Sequence, residues 1–447
     1  MSELLDSRPT RSAGAPRSTG AWWWSGLRPL VLRLHFYVGL FVGPFLLVAA
    51  LTGLAYTLTP QLEQFVHRNE LTVPVRGDRL PLAPQVAAAT AAVPGGTVTE
   101  IRPPATADAT TRVSFDAPGV RDGFSRTAFV DPYTGEVRGV LDTFGEWLPV
   151  RAWFDELHRT LFLGDVGRVY SELAASWLWV LAVSGFALWV VRRRRRNRVR
   201  RTLLPEVSAR GRVRLRSWHG AVGFWAVLGM LFLSATGLTW SLFAGENVTD
   251  LRAQLGWSTP SVEQTLPAGP VDAGPVGPTA DRVLAAARSA GLSDPVAIVP
   301  GEGSAWVVNQ VQRSWPEKQD AVAVDPATGA VLHELRFAEW PIAAKLARWG
   351  VDAHMGLLFG PANQVVLAAL AAGTACMVVW GYRMWWLRRP TRTGDSHRPS
   401  TGAVLVVGLA AIGIGVFLPA LGVSLMAFLL ADAAWQSLRA RPSPRSA

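Results

Sequence analysis

The 447-residue chain has a single cysteine, Cys376, and it sits inside an apolar run. One thiol excludes a disulfide framework, a cysteine-built zinc site and an iron–sulfur cluster. Charge is scarce too: Asp, Glu, Lys and Arg make up 17% of the residues, against about 25% in a soluble domain. Acids are the scarcer sign, 33 against 44 basic residues. No Gly-x-Gly-x-x-Gly turn precedes a helix, and the basic loops are too short for a flavin domain, so direct NAD(P)H binding is not expected. What abounds is apolar: 49% hydrophobic residues and 20 tryptophans. They gather in runs separated by polar blocks, which excludes a disordered chain and marks a membrane protein.

Spans are expected at about 30–58, 172–191, 219–243 and 362–387. The last apolar stretch, 402–436, would measure ~50 Å as one helix, longer than a ~30 Å bilayer core. Pro419 and Gly422 at its middle point to a tight hairpin or a strong kink. The net charge of +11 lies beside apolar runs, as in Arg192–Arg196 and Arg388–Arg389. That is the topology signal of cytoplasmic loops and gives no reason to expect nucleic acid. The basic side therefore holds the N-terminus, and residues 60–165 and 245–355 lie outside. The first run is too long for a cleaved signal and reads as a retained anchor. Tryptophans such as Trp153, Trp177, Trp179, Trp349, Trp385 and Trp386 fit an interfacial belt.

The chain repeats itself. Arg33-Leu-His35 with Gly39 and Thr52-Gly53-Leu54 matches Arg216-Ser-Trp-His219 with Gly223 and Thr236-Gly237-Leu238, and the His-to-Gly and His-to-Thr-Gly spacings are identical. His158 through Gly164 matches His354 through Gly360, and without a gap Gly185 then matches Gly381. Asp131-Pro-Tyr-Thr-Gly135 matches Asp325-Pro-Ala-Thr-Gly329, each read as a turn between strands. Alanine-rich helical stretches precede them at 84–93 and 279–291. Each half is span, small α+β domain, span, in one direction: a parallel repeat.

Of seven histidines, four hold equivalent places: His35, His219, His158 and His354. His67, His333 and His397 lack repeat mates and are expected on the surface. An ionisable group at membrane depth has a partner as a rule. For a single histidine a core hydrogen bond or a proton path serves as well as a cofactor. Two pairs in register, one near each face, also suit the two axial positions of a haem iron. Arg33 and Arg216 near the inner pair, and Arg159 near the outer, suit propionates or snorkel to lipid phosphate. Arg168 and Arg348 lie near the outer pair as well. The paired glycines admit either a porphyrin face or close helix packing. Asp155, Glu156 and Asp352 either orient an outer imidazole or are solvated. No interrupted helix with convergent polar residues is visible, which counts against a transporter.

The doubled layout of histidine near the span start, T-G-L, D-P-x-T-G, L-H-x-x-L-x-x-G and W-W-x-R-R resembles the PepSY-associated transmembrane family, from about 28 to 436. Phe417-Leu-Pro419-Ala-Leu-Gly422 is similar to that family as well. The resemblance implies a polytopic α-helical membrane protein: a duplicated helical bundle with two extracytoplasmic PepSY-like α+β domains. It implies two b-type haems on His35, His158, His219 and His354, and a ferric-siderophore reductase of the bacterial inner membrane. Partners would be a ferric siderophore or other ferric chelate, a cytoplasmic or membrane electron donor, and the bilayer. The alternative is a non-enzymatic PepSY-type regulator or binding protein. The implied order is a cytoplasmic tail (1–28), span 1 (29–59), outside domain 1 (60–165), span 2 (166–191), a basic loop (192–216) and span 3 (217–243). Outside domain 2 (244–355), span 4 (356–387), a basic loop (388–401), a hairpin or kinked span (402–436) and a basic tail (437–447) follow.

Overall fold

The computed structural model describes residues 19–196, 203–267, 269–270, 272–387 and 401–439. The first part of the N-terminal tail, residues 197–202 of the first basic loop, nearly all of the second with Arg388, Arg389 and His397, and the chain end with Arg441 and Arg445 lie outside the described residues. In chain order the helices are α1 (Thr19–Phe41), α2 (Gly43–Tyr56), α3 (Thr59–Val66), α4 (Arg68–Leu71), α5 (Leu82–Ala92), α6 (Pro149–Thr160) and α7 (Gly164–Arg196). Then come α8 (Gly211–Leu238), α9 (Phe243–Gln254), α10 (Val276–Ser289), α11 (Ile342–His354), α12 (Gly360–Trp386), α13 (Thr401–Phe417) and α14 (Pro419–Arg439). The strands are β1 (Thr97–Arg102), β2 (Thr111–Asp116), β3 (Ser125–Val130), β4 (Val137–Thr143), β5 (Val296–Val299), β6 (Trp306–Gln310), β7 (Ala321–Val324) and β8 (Val331–Leu335).

Three helices are each long and apolar enough to cross a bilayer: residues 164–192 of α7, α8 and α12. The run expected as one first span is instead two helices, α1 and α2, bent by 60° at their junction. Pro44 is the cause. It has no N–H to give the Leu40 carbonyl four residues back, and the Tyr382 hydroxyl donates to that carbonyl in its place. Tyr170 donates likewise to the Phe45 carbonyl, at 2.6 Å. The first apolar run is therefore an interrupted helix, and what lies at this break is two tyrosine hydroxyls on backbone oxygens.

The 402–436 run is also two helices. An added Cβ on Gly415 would lie 2.8 Å from the Gly422 Cα. Seven residues apart on a straight helix those positions would be about 10 Å apart, so the chain doubles back at Leu418 and the two glycines let the helices touch. Trp177 packs this hairpin. It is 3% exposed and donates Nε1–H to Ser424 Oγ at 2.9 Å, so it is a core residue and no part of an interfacial belt. Glu172, fully buried on α7, accepts the Phe243 and Ala244 N–H groups at 2.8 and 3.2 Å. A carboxylate there meets the unpaired donors at the start of α9.

The two α+β segments are not separate domains. Their strands form one antiparallel sheet in the order β4-β3-β2-β1-β5-β6-β7-β8. The halves join where Ile101 of β1 pairs Ile298 of β5. Edge strands expose unpaired backbone groups; the inner edge of each half covers that of the other. Helices α5 and α10 pack on one face over a shared core that includes Val86, Ala89, Val113, Val283, Ala287 and Val308. Asp281 of α10 accepts the Leu82 and Ala83 N–H groups of α5 at 2.7 and 2.9 Å, capping one half from the other.

Both D-P-x-T-G segments are turns between strands. Asp131 Oδ1 accepts from the Tyr133 and Thr134 amides at 2.8 and 3.3 Å; Asp325 Oδ1 accepts from Ala327 and Thr328 at the same distances. Gly135 and Gly329 close the turns at φ 75° and 76°, the left-handed region that favours glycine.

Candidate functional site

His35 on α1 and His219 on α8 face each other inside the helical bundle, with ring centroids 6.3 Å apart and planes at 89°. His158 lies in the last turn of α6 and His354 ends α11, the short helices that precede α7 and α12. Burial drives the His354 imidazole down to about 3, and the neighbouring His158 adds to the effect. Burial likewise lowers His158 to about 4. Both outer rings are neutral at physiological pH. Between His219 and Thr236, which touches His354, α8 rises about 25 Å. The two pairs therefore stand near opposite ends of the bundle.

In each of the four histidines Nδ1 has a partner that fixes the ring. His158 Nδ1 meets Thr52 Oγ1 at 2.9 Å and His354 Nδ1 meets Thr236 Oγ1 at 2.6 Å. His35 Nδ1 meets Ser184 Oγ at 2.9 Å, and His219 Nδ1 meets the Met377 carbonyl at 3.0 Å. A carbonyl only accepts, so His219 carries its proton on Nδ1. The hydroxyls lead to the same tautomer. Thr52 spends its proton on the Val48 and Ala49 carbonyls, Thr236 on Phe232 and Leu233, and Ser184 on Leu181. Each hydroxyl oxygen is left to accept from the imidazole. All four rings therefore donate through Nδ1 and present Nε2 as a bare lone pair, with no hydrogen-bond partner among the described residues. A metal-binding imidazole is held this way, with the second nitrogen donating to an oxygen that fixes tautomer and orientation.

The glycines of the repeat lie against these rings. An added Cβ on Gly53 would sit 3.1 Å from His158 Cε1, and one on Gly185 would sit 3.0 Å from His35 Cε1. Gly237 stands farther from His354 Cε1, at 3.9 Å, and Gly381 has open space. Gly53 and Gly185 make room for an imidazole on the helix surface, a third use beside the two expected of them.

A family model for the PepSY-associated TM region matches residues 32–388, which takes in the four histidines and every strand. This chain belongs to the PepSY-associated TM family. No curated protein matches it. In this PepSY-associated TM protein the repeated T-G-L motif places the acceptor for each outer histidine, a role its spacing alone does not reveal. Ser184 has no repeat mate. Its counterpart arrangement is the direct bond from His219 to Met377, and Leu181 and Met377 each stand four residues before the matched glycine.

The acids weighed as orienters do not touch the imidazoles. Asp155 pairs with Arg159 at 3.7 Å and Glu156 with Arg121 at 2.8 Å. Asp352 is fully buried, not solvated, and pairs with Arg313 and Arg348. Arg159 also lies 5.6 Å over the Phe144 ring, so its charge is engaged. Arg348 holds Glu317 as well, at 2.9 Å. Arg33 is half-buried and Arg216 exposed, and neither forms an ion pair among the described residues. Of the other histidines, His333 is half exposed beside Glu263, whereas His67 is mostly buried, with Nε2 unpartnered. Among the described residues no group of three or more His, Cys, Asp or Glu gathers as a metal cluster, so chemistry at the histidines rests on pairs.

Proposed function

We propose that this protein is a haem-containing electron carrier of the bacterial inner membrane, with the N-terminus and basic loops cytoplasmic and the sheet outside. His35 with His219 and His158 with His354 would each hold one b-type haem. The observation that carries the reading is four half-buried imidazoles, each pinned at Nδ1 and without a hydrogen-bond partner at Nε2 among the described residues. The separation of the inner pair supports it. The His35 and His219 ring centroids, 6.3 Å apart, are close enough for both rings to hold one metal ion between them. Arg33 and Arg216, with no ion pair among the described residues, would meet propionates at the inner site; Arg159 is the weaker candidate because Asp155 already holds it.

Bound haem supplies one-electron redox chemistry. The chain's own part is to fix the tautomer and orientation of each imidazole. The reaction we assign is one-electron reduction of a ferric siderophore or similar ferric chelate on the sheet side, for iron acquisition, at the expense of a cytoplasmic or membrane donor. Fe(II) is less charged and softer than Fe(III), so hard oxygen chelators release it.

The test uses the full-length protein in liposomes, reduced with dithionite, freed of excess reductant and mixed with a ferric siderophore plus an Fe(II)-trapping dye. Reoxidation of the protein matched by one trapped Fe(II) per electron is expected. A haem-loaded protein that stays reduced in the presence of ferric chelates contradicts the reductase reading and favours a binding or regulatory role.

A further inference from the structure

The sheet face turned away from α5 and α10 differs between its halves. In the first, Arg102 lies beside Arg112, and Arg112 beside Phe129. At the matching places of the second, counted back from the D-P-x-T-G turns, Val299 lies beside Val307 and Val307 beside Ala323. Val262 and Leu266 cover Ala323 there. The first half instead keeps a small, partly open cavity lined by Glu100, Arg102, Arg112, Ser114, Thr127 and Glu146, among others. It has room for a single water-sized group.

The cations of this cavity are not all matched. Arg102 binds Glu100 at 2.6 Å and Glu146 at 3.4 Å, and Arg313 holds Glu146 from the other side. Both lining carboxylates are thereby engaged. Arg112 makes no hydrogen bond or ion pair with any described residue; the Phe129 ring, 5.8 Å from its guanidinium carbon, is its aromatic neighbour. Burial pulls its affinity for the proton below the ordinary guanidinium range, and Arg102 pushes the same way. The carboxylates of Glu63, Glu146 and Glu100 act on it through space, but none bonds to it, and a guanidinium does not give up its proton in a protein, so its donors are open to a further partner. Beside it runs a chain of hydroxyls: Ser114 to Thr127 at 2.9 Å and Thr127 to Thr143 at 2.8 Å. Such hydroxyls donate to an anion as readily as to each other.

We propose that this cavity is a binding site for one halide-sized anion, held by the Arg112 guanidinium and the Ser114–Thr127 hydroxyls. Chloride matches the charge and, as a monatomic ion, comes nearer to the room available than any oxyanion does. The anion completes the polar layer between the sheet and α6. The site shares no residue with the histidine pairs, so it stands or falls independently of the haem reading.

Thermal unfolding of the full-length protein in detergent tests it, at constant ionic strength in sodium gluconate, sulfate, chloride or bromide. Chloride and bromide should raise the Tm saturably, by about 2 °C or more well above half-saturation, while sulfate matches gluconate. Arg112→Gln should abolish the halide response. Should that variant fail to fold, anomalous scattering from bromide-grown crystals of the wild-type protein decides, with a peak expected beside the Arg112 guanidinium. Equal Tm in all four salts, an unchanged halide response in Arg112→Gln, or no bromide at Arg112 would overturn the proposal and leave water in the cavity.

Discussion

Replacing Thr236 with Val removes one hydroxyl and almost no volume. The His354 Nδ1–H then loses its acceptor at 2.6 Å. A buried donor left without a partner costs about 1–3 kcal/mol. Loss of the oxygen behind a metal-ligating histidine typically costs about 10- to 100-fold in affinity, or roughly 1.4–2.7 kcal/mol. The two estimates agree, so Thr236→Val should weaken the outer haem by about 10- to 100-fold. The inner haem should not change, because His35 and His219 use other acceptors. The assay is haem transfer to excess apomyoglobin, followed by absorbance. Two phases are expected in the wild type. In Thr236→Val one phase should accelerate and the other hold, and Thr236→Ser should restore the slow rate. Unchanged phases in a folded variant, or a change in both, would refute the assignment of Thr236 to His354 alone.

Ser184→Ala should be far milder, under about threefold in inner-haem transfer, because the His35 ring can turn to the Leu181 carbonyl as His219 does to Met377; a loss as large as that of Thr236→Val would contradict this. Asp281→Ala removes the cap that one half of the sheet gives the other and should cost about 1 kcal/mol, read as a Tm a few degrees lower with the haem spectrum unchanged. Burial raises Glu63 to about 7, against the pull of Arg151. A raised carboxyl favours the folded state while protonated, so this contribution is complete below the unfolded value near 4.5 and is lost as pH rises through about 7. Glu63→Gln should flatten the Tm–pH curve over that window; an identical curve would show that another group sets it. Glu146 behaves oppositely. Burial alone would raise it, but Arg313 and Arg102 hold it at about 2, so its contribution is lost only as pH falls from about 4.5 toward 2.

The features legible in the sequence were those written as local or periodic patterns. The turn at Asp131 needs only an Asp, a Pro and a Gly at fixed offsets, and Gly135 takes the positive φ that offset demands. The four histidines stood out because each has a mate at matched spacing. What stayed hidden depends on residues far apart in the chain. Thr52 and His158 meet across 106 residues that hold four strands, while the acidic neighbours on α6 pair with arginines instead. The union of two modules into one sheet rests on an Ile101–Ile298 edge pairing that leaves no local mark. The network of Arg102, Glu146, Arg313 and Asp352 is likewise spread over both halves. Pro44 was readable as a break, yet its run is apolar throughout, and hydropathy does not register a missing N–H.

The central claim is that His35, His158, His219 and His354 hold two haems. Its most direct test is the visible spectrum of detergent-purified protein from haem-replete cells, oxidised and then dithionite-reduced, with haem counted per chain in the wild type and in His219→Ala and His354→Ala. The account predicts sharp low-spin b-type bands at about two haems per chain, falling to about one in either variant. A colourless wild-type protein, or variants that keep both haems, would contradict it.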